Sequence, residues 1–189
     1  MKAMYFDIET SGTDDKKHGI LQLAGLIEID ETFVEGFNFF MKPFPNKEIN
    51  DKALEANGIT RDRINSNEFE QPTKVYESFI NILDKYIDRY NKADKFTLIG
   101  YNARFDDAFL RNWFEDNFNK YYGAYFHWPA IDVSNMAAVK YRDWRHKFKN
   151  FQLMTVANKL NINIDITKAH DAMYDTKVTR AIFRKLIGD

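Results

Sequence analysis

The chain has 189 residues, enough for one domain with a single core, and its 44% hydrophobic and 29% charged content is that of a globular protein rather than a disordered one. It has no cysteine, which excludes a disulfide framework and any Cys-ligated zinc or iron–sulfur site. With a formal net charge of −1, any polyanionic partner would have to be drawn by a local patch or by bound cations, not by global charge.

The N-terminus meets a carboxylate at Asp7, too early for a signal-peptide core, and no apolar run approaches the length of a membrane span. A soluble cytoplasmic protein without membrane contact is therefore expected. Residues 1–9 read as a strand opening onto an acidic, Gly-containing turn at 11–15. Residues 19–29 read as a second strand and 34–41 as a third, ended by Pro43. After Pro72, Val75, Tyr76, Phe79, Ile80, Leu83, Tyr86, Ile87 and Tyr90 recur at spacings of three and four, which predicts one long helix with an apolar stripe. Residues 96–101 read as a fourth strand, 106–117 as a helix and 130–133 as a short fifth strand. Ser134 is the expected N-cap of the next helix, and two more helices fit 151–160 and 171–187. Three strands followed by alternating helices and strands predict an α/β fold around a mixed central sheet of about five strands, in a single domain over 1–189.

Three short segments carry chemistry. In Asp7-Ile8-Glu9-Thr10-Ser11-Gly12, strand alternation points Asp7 and Glu9 the same way while Phe6 and Ile8 face a core. At an effective dielectric of about 20 and a separation of about 4 Å, two such carboxylates repel by about 4 kcal/mol, which a divalent cation would offset. A solvent-facing strand end with incidental acids is the plainer alternative. A calcium-binding EF-hand loop is excluded, because its twelfth position would be His18 instead of Glu and the flanking segment reads as strand. The second segment, Asn102-Ala103-Arg104-Phe105-Asp106, sits where a strand gives way to a helix, although Asp106 or Asp107 would also serve as an ordinary helix cap. The third, His170-Asp171-Ala172-Met173-Tyr174-Asp175, is weak in isolation.

Taken together and in this order, the segments resemble the DnaQ-like 3′-5′ exonuclease superfamily, in its DEDDh branch. The resemblance runs over essentially the whole chain and includes Gly58-Ile59-Thr60 after a short helix. Two departures stand out: Tyr101 where relatives often carry His, and the acidic Asp171 beside His170. The resemblance implies a ribonuclease H-like fold in which Asp7, Glu9, Asp106 and Asp175 bind two divalent cations, Mg²⁺ or Mn²⁺. All-oxygen ligation suits such hard ions. One ion would activate a water and the other stabilise the departing 3′ oxygen, releasing nucleoside 5′-monophosphates.

The same resemblance makes His170 the general base. An imidazole of ordinary pKa, about 6.5, implies activity that rises from about pH 6 towards 8.

Backbone around Thr10, Ser11 and Gly12 and the Asn102 side chain are expected near the 3′-terminal nucleotide of a single strand. Leu21 and Leu23 would press on a base, or else pack in the core. The basic, aromatic stretch 140–149, with Arg142, Arg145 and Lys147, would track a phosphate backbone, or else form a solvated helix end. A catalytically silent binding module and a polymerase-associated proofreading subunit are the competing functions. The chain ends just past its last predicted helix, so a free-standing enzyme is expected, and no segment reads as an oligomer interface. Discrimination of DNA from RNA rests on contacts to a 2′-hydroxyl, which no residue pattern here assigns.

Overall fold

A computed structural model describes residues 1–188. In chain order the elements are β1 (Lys2–Thr10), β2 (Ile20–Ile29), β3 (Thr32–Phe40), α1 (Asp51–Asn57), α2 (Arg61–Asn65), α3 (Pro72–Tyr86), β4 (Thr97–Gly100), α4 (Ala103–Asp116), α5 (Tyr122–Tyr125), β5 (Ile131–Asp132), α6 (Val133–Lys140), α7 (Leu153–Lys159) and α8 (Ala172–Ile187). The expected mixed sheet is present, with strand order β3-β2-β1-β4-β5. The β1/β2 and β2/β3 pairs are antiparallel, and β1/β4 and β4/β5 are parallel. Among the described residues, no helix is long and apolar enough to cross a membrane.

The sheet is covered on both faces, and strand alternation sorts the residues. Met4, Phe6 and Ile8 of β1 join Val75, Phe79 and Leu83 of α3 and Leu110, Trp113 and Phe114 of α4 in one core. Ala3 and Tyr5 face the other way and pack with Val156, Val178, Ile182 and Phe183 of α7 and α8. Asp7 and Glu9 continue that second row, so the two carboxylates emerge where β1 runs out from under α8. Glu28 of β2, its side chain 3% exposed, pins α8 to the sheet by pairing with Arg180 at 2.5 Å and Arg184 at 2.7 Å.

Several boundaries shift by one to four residues from expectation, the start of α4 moving from 106 to 103, and two differences change the place of a named side chain. Helix α3 stops at Tyr86, so Tyr90 leaves the apolar stripe and stands 84% exposed. Asp132, not Ser134, caps α6: its carboxylate accepts from the Ser134 amide at 2.9 Å and from the Ser134 hydroxyl at 2.7 Å. The Gly58-Ile59-Thr60 element has a local cause. Gly58 takes the left-handed conformation that ends α1 (φ 67°), Ile59 is buried, and Thr60 accepts from Arg63 N at 3.2 Å to start α2.

Candidate active site

The end of β1, the start of α4 and the start of α8 meet at one place. Asp106 lies in the first turn of α4 and is buried. It is not the helix cap, since Asn102 holds that position, and Asp107 instead pairs with Arg111 at 2.8 Å. Asp175 lies in the first turn of α8, also buried. One ligand atom each from Glu9, His170 and Asp175 falls within 4.8 Å of the others. Asp7 and Asp106 are outside that tight trio, but their charges act on it. Asp7 feels Asp106, Glu9 and Asp175, and Glu9 feels Asp175 and Asp106.

The electrostatics are those of an under-compensated acidic cluster. Burial first, then the neighbouring carboxylates, hold Asp7 well above the usual carboxylate range and push Glu9 up to about 8. Burial raises Asp106 as well, with amide hydrogen bonds opposing it in part. It takes Asp175 to about 6, opposed by the backbone and charge of His170. One oxygen of Asp175 accepts from the His170 amide at 3.3 Å, while the other, Oδ1, is buried with no partner among the described residues. An orphaned buried oxygen within a set of oxygen donors suits a hard divalent cation. The oxygen donors of Glu9 and Asp175 therefore suit such an ion, with Asp7 and Asp106 in the same electrostatic field.

His170 is exposed and left-handed (φ 66°), a conformation His tolerates better than most residues, and this turns the chain into α8. Asn102 is left-handed too (φ 63°). Its side chain makes no cap bond, and its amide donates to Asp132 at 3.1 Å. A cavity of about 490 Å³ opens between them, lined by Tyr101, Asn102, Phe151, Met154, His170 and Asp175 among others. Tyr101 donates its hydroxyl to Phe151 O at 2.6 Å and so holds the far wall. Phe151 and Met154 carried no sequence signal. They precede or open a short helix and reach the site only through the packing of α7.

The remaining expected contacts divide. Leu21 and Leu23 are both fully buried and present no surface to a base, which corrects that expectation. A bulge explains it: Thr10 pairs with Ile20 and Glu9 with Gln22, so Leu21 is an extra residue and the alternation breaks. Leu21 drops into a small core with Leu54, Ile59 and Phe69, and Leu23 into the main core. Thr10 and Ser11 have committed side chains: Thr10 Oγ1 donates to Gly12 O at 2.7 Å, and Ser11 Oγ donates to Glu48 O at 2.6 Å. Gly12 lies under the His18 ring, which a Cβ there would meet at 2.2 Å and have to displace. At Thr10, Ser11 and Gly12 it is therefore backbone that is left to meet a ligand.

Arg142, Arg145 and Lys147 lie on an exposed 3-10 turn (Arg142–Lys147) rather than a helix end. Lys147 covers the Trp144 ring at 4.0 Å, and Arg145 covers Phe151 at 4.9 Å, which ties this basic turn to the cavity wall.

The family profile described as Exonuclease, of the ribonuclease T type, matches residues 4–183. This chain belongs to the RNase T exonuclease family. Members of this DnaQ-like family are metal-dependent hydrolases of phosphodiester bonds. Ribonuclease T of Haemophilus ducreyi is 25% identical over 199 residues, covering 96% of this chain and 83% of its own length. The PolC-type DNA polymerase III of Mycoplasmopsis pulmonis is 27% identical over 179 residues, covering 94% of this chain but 11% of the polymerase. Among solved structures, a zinc-bound complex of E. coli exonuclease I with single-stranded DNA superposes with a TM-score of 0.76 at 25% identity, covering 98% of this chain and 40% of that one. A second, the same enzyme with a dT13 oligonucleotide, gives 0.76 at 23% identity, covering 97% and 41%. This exonuclease-family chain thus spans less than half of exonuclease I and about a tenth of the polymerase.

Proposed function

We propose that this single domain removes nucleotides one at a time from the 3′ end of a single-stranded nucleic acid. The observation that carries the reading is the convergence of Glu9, His170 and Asp175 within 4.8 Å, with Asp7 and Asp106 in the same electrostatic field.

Asp7, Glu9, Asp106 and Asp175 hold two divalent cations, Mg²⁺ or Mn²⁺. When bound, such ions supply water activation and stabilisation of the departing 3′ oxygen. His170, exposed at the mouth of the cavity, takes the proton of the attacking water and passes it to solvent. Asn102, whose side chain is uncommitted, orients the terminal nucleotide together with backbone at Thr10, Ser11 and Gly12. Arg142, Arg145 and Lys147 draw in the phosphates behind it, with Trp144, 55% exposed, available for stacking. The single-stranded DNA held by exonuclease I in its complexes agrees with this assignment of strandedness.

The test is digestion of 5′-labelled single-stranded and duplex DNA and RNA oligomers with Mg²⁺ or Mn²⁺, beside Asp7→Asn. A ladder shortening from the 3′ end, absent in EDTA and in the variant, is expected. A wild type that leaves every oligomer intact, or a variant as active as wild type, would end the reading.

A further inference from the structure

Gln22 of β2 lies directly across from Glu9 of β1 and is 2% exposed. Its amide is used in three directions. Nε2 donates to Asn38 Oδ1 on β3 at 2.9 Å and to Asp171 Oδ2 at 3.3 Å, and Oε1 accepts from Ala172 N at 3.3 Å. Asp171 is the cap of α8, its other oxygen accepting from Tyr174 N at 2.8 Å. The amide's orientation is forced: a carboxylate must receive a donor and a helix N–H must find an acceptor, and one primary amide supplies both.

The groups that Gln22 grips are the two residues immediately after His170. His170 itself is exposed and follows an exposed 3-10 turn (Ile166–Lys168), so no packing of its own ring fixes it. Its backbone is held by the Asp175 oxygen on its amide, by the turn bond from Asp171 N to Lys168 O at 3.3 Å, and by the grip of Gln22 on Asp171 and Ala172.

We propose that Gln22 is a positioning residue: through Asp171 and Ala172 it sets the angle at which the first turn of α8 presents His170 and Asp175 to Glu9. This rests on the hydrolytic reading of the site. It also accounts for the acidic neighbour of His170, since Asp171 is the residue that requires a donor at position 22. A carboxylate at 22 is compatible with this site only if position 171 is no longer a carboxylate.

The experiment is a two-by-two set: wild type, Gln22→Glu, Asp171→Asn and the double variant. Gln22→Glu sets two carboxylates at hydrogen-bond distance and is expected to lower kcat about 10- to 100-fold while KM stays within about threefold, the range of couplings between contacting polar groups. Asp171→Asn keeps its oxygen for the helix cap but turns an NH2 group against the Gln22 NH2, so it too should lose rate, by about 3- to 30-fold. The double variant should recover to within about threefold, because the introduced asparagine donates to the introduced glutamate, which still accepts from Ala172 N. In metal-free protein, hydrogen exchange of the Ala172 and Tyr174 amides should quicken about tenfold in Gln22→Glu and return in the double variant.

Recovery of both rate and exchange supports the role. Equal loss in the single and double variants, or a Gln22→Glu enzyme matching wild type, overturns it. A wild type inactive on all oligonucleotides would end the hydrolytic reading alone. The metal-free exchange and its recovery would then decide whether Gln22 governs α8.

Discussion

Stripping divalent ions from the carboxylate cluster should make folding stability fall with pH, by an amount that can be worked from Glu9. Burial, followed by Asp175, Asp106 and Asp171, pushes this carboxyl from its ordinary 4.5 to about 8. An acid raised in this way holds its proton more tightly folded than unfolded. The folded state's advantage is therefore full below the ordinary value and is lost as pH climbs through the raised one. The window runs from about pH 4.5 to about pH 8. At about 1.4 kcal/mol per pKa step, Glu9 alone sets a ceiling of about 5 kcal/mol. The cleft is open to water and salt, so roughly half, about 2–3 kcal/mol, is the expected loss, or about 4–12 °C in melting temperature for a chain of this length.

The assay is thermal unfolding in EDTA from pH 5 to 8.5, for wild type, Glu9→Gln and Asp7→Asn. Wild type should show the steepest fall and Glu9→Gln a flatter one by that difference. Added Mg²⁺ should raise the wild-type melting temperature most at high pH, and more than in either variant. Parallel profiles for wild type and Glu9→Gln, together with equal Mg²⁺ shifts in all three proteins, would refute the reasoning.

His170→Ala should cut the hydrolytic rate by about 10²- to 10⁴-fold while keeping the Mg²⁺-induced melting shift, because the carboxylates remain. A variant of unchanged rate would remove His170 from the mechanism. Replacing Arg142, Arg145 and Lys147 together by Glu should weaken oligonucleotide binding and reduce the slope of log K against log salt by about 2, roughly 0.7 per lost contact with a single strand. An unchanged slope would return the turn to ordinary surface. Phe114→Ala should cost about 3–5 kcal/mol in denaturant unfolding, since this fully buried ring packs edge-on against Tyr76, Tyr122 and Tyr125. A loss below about 1 kcal/mol would contradict that packing.

The order of the main elements and the mixed sheet were legible in the sequence, and so were the candidate groups Asp7, Glu9, Asp106, His170 and Asp175. The elements were readable because periodicities of two and 3.6 are local properties of the chain. The chemical groups were readable because short segments of mixed acid, Gly and His resemble a family in sequence. The convergence of these groups was not local. It depends on β1 lying between β2 and β4, which brings residue 7 beside residue 106 and residue 9 beside residue 175.

Tertiary structure decided what alternation could not. The bulge at Leu21 sends Leu21 and Leu23 into separate cores, and a single extra residue in one strand leaves no mark in composition or periodicity. The cap of α6 passed from Ser134 to Asp132 because β5 ends at Asp132, one residue before the expected 133, where the sheet edge puts that carboxylate under the helix amides. Phe151 and Tyr101 became neighbours across 50 residues only when α7 packed beside β4. Asp171 was unexplained as a neighbour of His170 until β2 brought Gln22 against it from 149 positions away. The sequence by itself picked out the residues proposed for metal-assisted hydrolysis. Which of their neighbours hold them in place was settled by long-range contacts, whose partners no local pattern encodes.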